Sequence, residues 1–158
     1  MKKPILVTGA HRSGSTWVGK IIGSDPTVRY VHEPFNIHIQ RQNSPIYLWF
    51  QHVNTNYSIE YQENIRSYLL SYYLPFRIDY KEKYGKWFSF KNNSDYFKEL
   101  MSRLLNRTLI KDPLALFSAE WIYKTLNCDV IVIIRHTAAF VASLKRKDWT
   151  FDFNHFIQ

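Results

Sequence analysis

Four of the five glycines in this chain fall within its first 23 residues, and two of them, Gly9 and Gly14, bracket a loop. The stretch reads Ile5-Leu6-Val7-Thr8-Gly9-Ala10-His11-Arg12-Ser13-Gly14-Ser15-Thr16-Trp17. The apolar run Pro4–Thr8 predicts a short buried strand, and the residues from about Ser15 to Ile22 predict a helix ended by Gly23 and Pro26. Trp17, Val18, Ile21 and Ile22 recur at helical spacing. A strand running into a glycine-bearing loop and then into a helix N-terminus aims successive backbone N–H groups at one point, which is a cradle for phosphate or sulfate. Glycine supplies the left-handed conformations and the close backbone approach that such a loop needs.

The spacing is G-x-x-x-x-G-[K]-[ST] with one change: Ser15 stands where a Lys is expected, and the cation is Arg12, inside the loop. That Lys normally reaches between the β- and γ-phosphates of a nucleoside triphosphate, so its loss weakens the case for a kinase or triphosphatase. No strand ends in an Asp suited to magnesium, since Val130–Ile134 runs into Arg135.

The rest of the chain supplies context. Val28–Val31 predicts a second strand ended by His32-Glu33-Pro34. Residues 37–57 read as loop with a possible short helix, and Ile59–Leu74 as a helix stopped by Pro75. Ser94 reads as the N-cap of a helix to about Asn106. The last third alternates strand and helix: Thr108–Lys111, Leu114–Leu126, Val130–Ile134, Ala138–Lys145. Buried β-branched runs alternating with helices predict an α/β fold, a central parallel sheet flanked by helices. With 158 residues, one domain with an ordinary core is expected. Phe151–Gln158 reads as the start of another helix, which predicts a single domain, 1–158, lacking its C-terminal part.

Cys128 is the only cysteine, so no internal disulfide or zinc knuckle can form, and a reducing, cytoplasmic setting is expected. No apolar run reaches the roughly 20 residues of a membrane span. Lys2-Lys3 followed by Ile5–Val7 stops at Thr8-Gly9, too short for a signal peptide. The net charge of +8 favours anionic partners, whether nucleic acid, nucleotide phosphates or acidic glycans, and no nucleic-acid module accompanies it.

Arg12-Ser13-Gly14-Ser15-Thr16-Trp17 after a strand resembles the 5′-phosphosulfate loop of the PAPS-dependent sulfotransferases, among them bacterial and carbohydrate-type members. Arg135, with Ser143 eight residues later on the next helix, is similar to that family's 3′-phosphate signature. Leu109-Ile110-Lys111-Asp112-Pro113 resembles its Lys-bearing strand end. The resemblance covers about residues 4–36 and 108–150, and implies a P-loop-NTPase-like fold whose strand-loop-helix binds PAPS. It implies sulfuryl transfer from PAPS to a hydroxyl of an acceptor, a carbohydrate by the type of member resembled, with PAP as product and no metal.

The same resemblance distributes roles. Arg12, Ser13, Gly14, Ser15 and Thr16 would hold the 5′-phosphosulfate, Arg12 assisting departure of the bridging oxygen. Arg135 and Ser143 would hold the 3′-phosphate. Trp17 has two readings of equal weight, stacking on adenine or packing in the core. Glu33 is the favoured base, with His32 second and Asp112 third. The His two residues after the strand-end Lys, which cytosolic members use, is Pro113 here. Adjacent residues of extended chain face opposite ways, so only one of His32 and Glu33 is expected to face the donor. Lys111 either contacts the transferring sulfate or is an exposed strand end. His11 reads as either a further donor to the phosphosulfate or, as loop histidines more often are, incidental, and the aromatic stretch Tyr47–Phe90, with Trp87 and Phe88, as core, lid or sugar-stacking surface. The basic residues of 77–91 read as a solvated face or a hold on an acidic glycan. A P-loop nucleotide kinase and a non-catalytic PAP- or nucleotide-binding remnant are the rival readings.

Overall fold

The structure is a computed structural model and describes residues 2–39, 44–74 and 90–150. The expectations about Trp87, Phe88, most of the basic run 77–91 and the helix start at Phe151 lie outside these residues.

The chain runs β1 (Ile5–Gly9), α1 (Ser15–Ile22), β2 (Val28–His32), α2 (Ile59–Leu70), α3 (Phe90–Leu105), β3 (Arg107–Lys111), a 3₁₀ segment (Pro113–Ser118), α4 (Ala119–Leu126), β4 (Asp129–Ile133) and α5 (Thr137–Lys145). The four strands form one sheet in the order β2-β3-β1-β4, and every pairing is parallel. This is the α/β sheet expected from the alternating apolar runs.

Alternation along the strands divides the core between two faces. Ile5, Val7 and Leu109 are buried on one face, where Val18 and Ile22 of α1 pack. Leu6, Val31 and Ile110 face the other way, beneath residues of α2, α4 and the 46–53 loop. Each such side chain taken out of water contributes about 1.5–3 kcal/mol, which is why short five-residue strands suffice when both faces are covered.

Several boundaries differ from the sequence reading. Residues 114–126 are not one helix: a 3₁₀ segment capped by Asp112 precedes α4. Asp112 accepts from the Leu114 amide, and Pro113 fits the first position because it has no N–H to satisfy. Helix α3 begins at Phe90, so Ser94 lies inside it rather than capping it. Helix α2 stops at Leu70, short of Pro75, and buried Arg103 of α3 donates to the carbonyls of Ser71 and Leu74 beyond it. Backbone N–H groups of residues 71–74 satisfy the last carbonyls of α2, and Arg103 satisfies two carbonyls of the turn that follows. Trp17 is 70% exposed, which overturns its core reading, and Ile21 one turn later is also exposed. Only the Val18–Ile22 half of that apolar stripe faces the sheet.

No helix among the described residues is long and apolar enough to cross a membrane. What matters for function is that the carboxyl ends of all four strands lie side by side. Val7 and His32 flank Lys111, and Gly9 pairs with Ile133. In open α/β sheets, ligands bind outside these ends.

Candidate functional site

The loop from Gly9 to Gly14 leaves β1 at the middle of that edge. Gly9 has φ +149°, and a Cβ there would lie 2.4 Å from the Ile133 carbonyl oxygen, so β4 packs too closely for any side chain. Gly14 has φ +103° with open space around it, so backbone conformation rather than crowding selects glycine there. Arg12 also takes a left-handed conformation, φ 62°. Ser13 donates its amide to the Ala10 carbonyl at 3.1 Å, closing the turn. Gly14 caps α1 with no side chain on the first N–H groups, and Val18 returns to its carbonyl at 3.1 Å. The hydroxyls of Thr8 and Ser13 are buried and have no hydrogen-bond partner among the described residues. Buried hydroxyls left unpaired beside a positive helix end are what a bound anion would satisfy.

On the β4 side, the loop is joined to Arg135 and Ser143. The Arg12 Nε donates to Ser143 Oγ at 3.1 Å, and Arg135 Nη1 donates to the Arg12 carbonyl at 2.7 Å. Arg12 is thereby brought to two residues that lie 123 and 131 positions further along the chain. Arg12 and Arg135 are exposed while Ser143 is buried, and neither guanidinium pairs with a carboxylate among the described residues. Exposed, uncompensated arginines with forked donors suit phosphate oxygens. Ser15 is buried at the start of α1, and Thr16 and Trp17 are exposed on its first turn.

The β2–β3 side is different. Lys111 is 2% exposed, which overturns its reading as an exposed strand end. Its Nζ pairs with Glu33 Oε1, and the Glu33 amide donates to the Lys111 carbonyl at 2.9 Å. Asn36 Nδ2 donates to the other Glu33 oxygen at 2.8 Å. Burial pushes the Glu33 carboxyl upward, but the bonds from Lys111 and Asn36 and the Lys111 charge outweigh it and hold Glu33 below its usual value. His32 Nε2 lies 3.8 Å from Glu33 Oε1. The expectation that these neighbours face opposite ways fails because the chain is not extended at Glu33, where φ is 44°. His32 itself is exposed and stacks on Tyr30, ring centroids 6.2 Å apart.

Asp112 is fully buried and accepts from the Phe35 amide at 2.6 Å and the Leu114 amide at 2.9 Å. Burial pushes its carboxyl up to about 7, against those two N–H donors. Both oxygens are spent on backbone, tying the chain after β2 to the chain after β3.

His11 and Asn36 are the two site residues that sequence reasoning undervalued. The His11 ring meets Phe50 edge-on at 4.7 Å, Trp149 at 5.3 Å and Trp49 at 6.3 Å. Burial lowers its pKa, and it feels the charges of Glu33 and Lys111. It stands between the Gly9–Gly14 loop and an aromatic wall that continues through Trp49 to His38, 5.2 Å away. The only signal in the chain was its position beside Arg12. For Asn36 the signal was its three-residue spacing from Glu33, a turn closed by the Asn36 amide on the Glu33 carbonyl at 3.0 Å. Among the described residues, no group of three or more His, Cys, Asp or Glu could hold a metal ion.

Comparison with known families matches residues 4–157 to the model described as "Sulfotransferase family". No curated protein and no solved structure matches the chain.

Proposed function

Because the chain belongs to the sulfotransferase family, whose reaction is sulfuryl transfer, we propose that it moves the sulfuryl group of PAPS to a hydroxyl on a carbohydrate acceptor. The observation that carries this reading is the contact of Arg12 with Ser143 and of Arg135 with the Arg12 carbonyl. It joins a 5′-phosphosulfate loop and a 3′-phosphate pair, the two anion sites that one PAPS molecule requires. Loop N–H groups with Arg12, Ser13, Gly14, Ser15 and Thr16 hold the phosphosulfate, and Arg135 and Ser143 hold the 3′-phosphate. The exposed face of Trp17 is offered to the adenine. Arg12 stabilises the charge that develops on the leaving phosphate.

Glu33 takes the acceptor proton, with His32 as the second choice. Lys111 meets the sulfuryl oxygens. Trp49 and Trp149, beside His11 and backed by buried Phe50, support a sugar ring on the acceptor side, since aromatic faces cover the apolar faces of sugars while their rims hydrogen-bond.

The test is incubation with sulfur-labelled PAPS and a mixture of simple saccharides and glycosaminoglycans. Label is expected in saccharide, with PAP released. Glu33→Gln should keep PAP binding and lose about 10²- to 10⁴-fold in transfer, the usual worth of a positioned base. Phosphate transfer from ATP·Mg in place of sulfate transfer would replace this reading with the kinase one, which Ser15 already disfavours.

A further inference from the structure

The β2–β3 corner holds more ionisable chemistry than anion binding needs. Lys111 has its ammonium buried and spent on a carboxylate, an arrangement that blunts both partners. Groups face Glu33 from every neighbouring element: Lys111 and Asp112 from the end of β3, Tyr30 and His32 from β2, Asn36 from the turn that follows, and His11 from the loop. Of these, Lys111 is the cation paired directly with it, while Asn36 contributes a neutral N–H. Burial is the largest single influence on Glu33 and acts to weaken its charged form. The balance therefore hangs on where the Lys111 ammonium points.

The Lys111 charge is felt at His11 in the loop. Its strand end pairs in register with Val7, two residues before Gly9, and the Asp112 amide donates to the Val7 carbonyl at 2.9 Å. An ammonium has three donors on a flexible stem, so it can follow charge.

We infer that Lys111 is a donor-sensing residue: it occupies Glu33 in the empty site, and a sulfuryl group bound at the loop draws it away and frees the carboxylate. This rests on the sulfuryl-transfer reading above and adds a sequence of events to it. With Lys111 on the sulfuryl oxygens, Glu33 keeps its bond from Asn36, loses its counter-charge and becomes a stronger base in a desolvated place. The acceptor hydroxyl then passes its proton to Glu33, its oxygen bonds to sulfur, and the sulfur–oxygen bond to the donor phosphate breaks with its electron pair left on that phosphate. PAP carries no sulfuryl group, so Lys111 returns to Glu33 after transfer. Basicity is thus supplied only while a donor is loaded.

Carbon-13 NMR of glutamate-labelled protein tests this, with Glu33→Gln identifying the Glu33 carboxyl signal. Titration is done on the free protein, with saturating PAP and with saturating PAPS. Glu33 is expected below its usual 4.5 in the free protein. It should stay there with PAP and rise by about one unit or more with PAPS, a tenfold change in proton affinity. Lys111→Gln, if folded, should show the raised value in the free protein and no further rise with PAPS. Saturating shifts of the loop amides with both ligands but one Glu33 value throughout would overturn the sensing role alone. Loop amides that respond to neither ligand would overturn the donor assignment along with it.

Discussion

The two flanks of the loop treat charge in opposite ways. Toward β4, Arg12 and Arg135 are exposed, meet no carboxylate among the described residues, and hold Ser143 and one backbone carbonyl. Toward β2 and β3, Lys111, Glu33 and Asp112 are buried or nearly so, and each oxygen or ammonium has a partner. Uncompensated exposed charge costs little stability and is available to a ligand that arrives from solution. Compensated buried charge holds the fold together and, if one partner leaves, changes its protonation. In the proposed reading the first flank binds and the second responds.

Substitutions can break this contrast. The largest effect is expected from Lys111→Met, which strands Glu33 without its cation and should lower stability by about 3 kcal/mol, read in chemical denaturation. Asp112→Ala follows, at about 2 kcal/mol, because the Phe35 and Leu114 amides are left buried without acceptors. Arg135→Ala should leave stability within about 0.5 kcal/mol while weakening PAP by about tenfold to a hundredfold in calorimetry. If Arg135→Ala unfolded the protein, or Lys111→Met left stability intact, the flanks would not differ as described.

The smallest effect is in pH. Glu33 is held below its usual 4.5, so the stability it contributes is complete above 4.5 and is lost as pH falls through its folded value. Asp112 has the opposite sign. Raised from 3.8 to about 7, it makes the folded state hold an extra proton, and stability declines as pH climbs across that interval. Glu33→Gln should flatten the acid limb of a stability–pH profile and change the limb near neutrality less, since the Glu33 charge is a lesser cause of the Asp112 shift than burial. Loss of the limb near neutrality instead would reassign the roles of the two carboxyls.

Legibility followed the same divide. Arg12 and Gly14 stood out because a strand–loop–helix turn fixes their spacing, and Arg135 and Ser143 only through the family resemblance; the sheet order brings Arg12, Arg135 and Ser143 into contact. Lys111 was readable as a residue but not as buried, since exposure at a strand end depends on what lies over it. Here that is Glu33, contributed by another strand and turned inward by a left-handed backbone no local pattern announces. The core reading of Trp17 failed for the converse reason: helical spacing shows which residues share a stripe, not how much of it the sheet covers. The 3₁₀ segment after Asp112 escaped notice because its apolar residues satisfy a helical period equally well.

The central claim is that the loop and the Arg135–Ser143 pair form one site for an adenosine 3′,5′-bisphosphate group. Thermal unfolding tests it most directly, with PAP or ATP added without magnesium, or ATP·Mg, at matched concentration. At roughly 100 times its dissociation constant, a ligand that binds only the folded chain adds about 2.7 kcal/mol, or about 5–10 °C for a chain of this size. PAP is predicted to give that rise and ATP·Mg to give little. A rise with ATP·Mg and none with PAP would contradict the account.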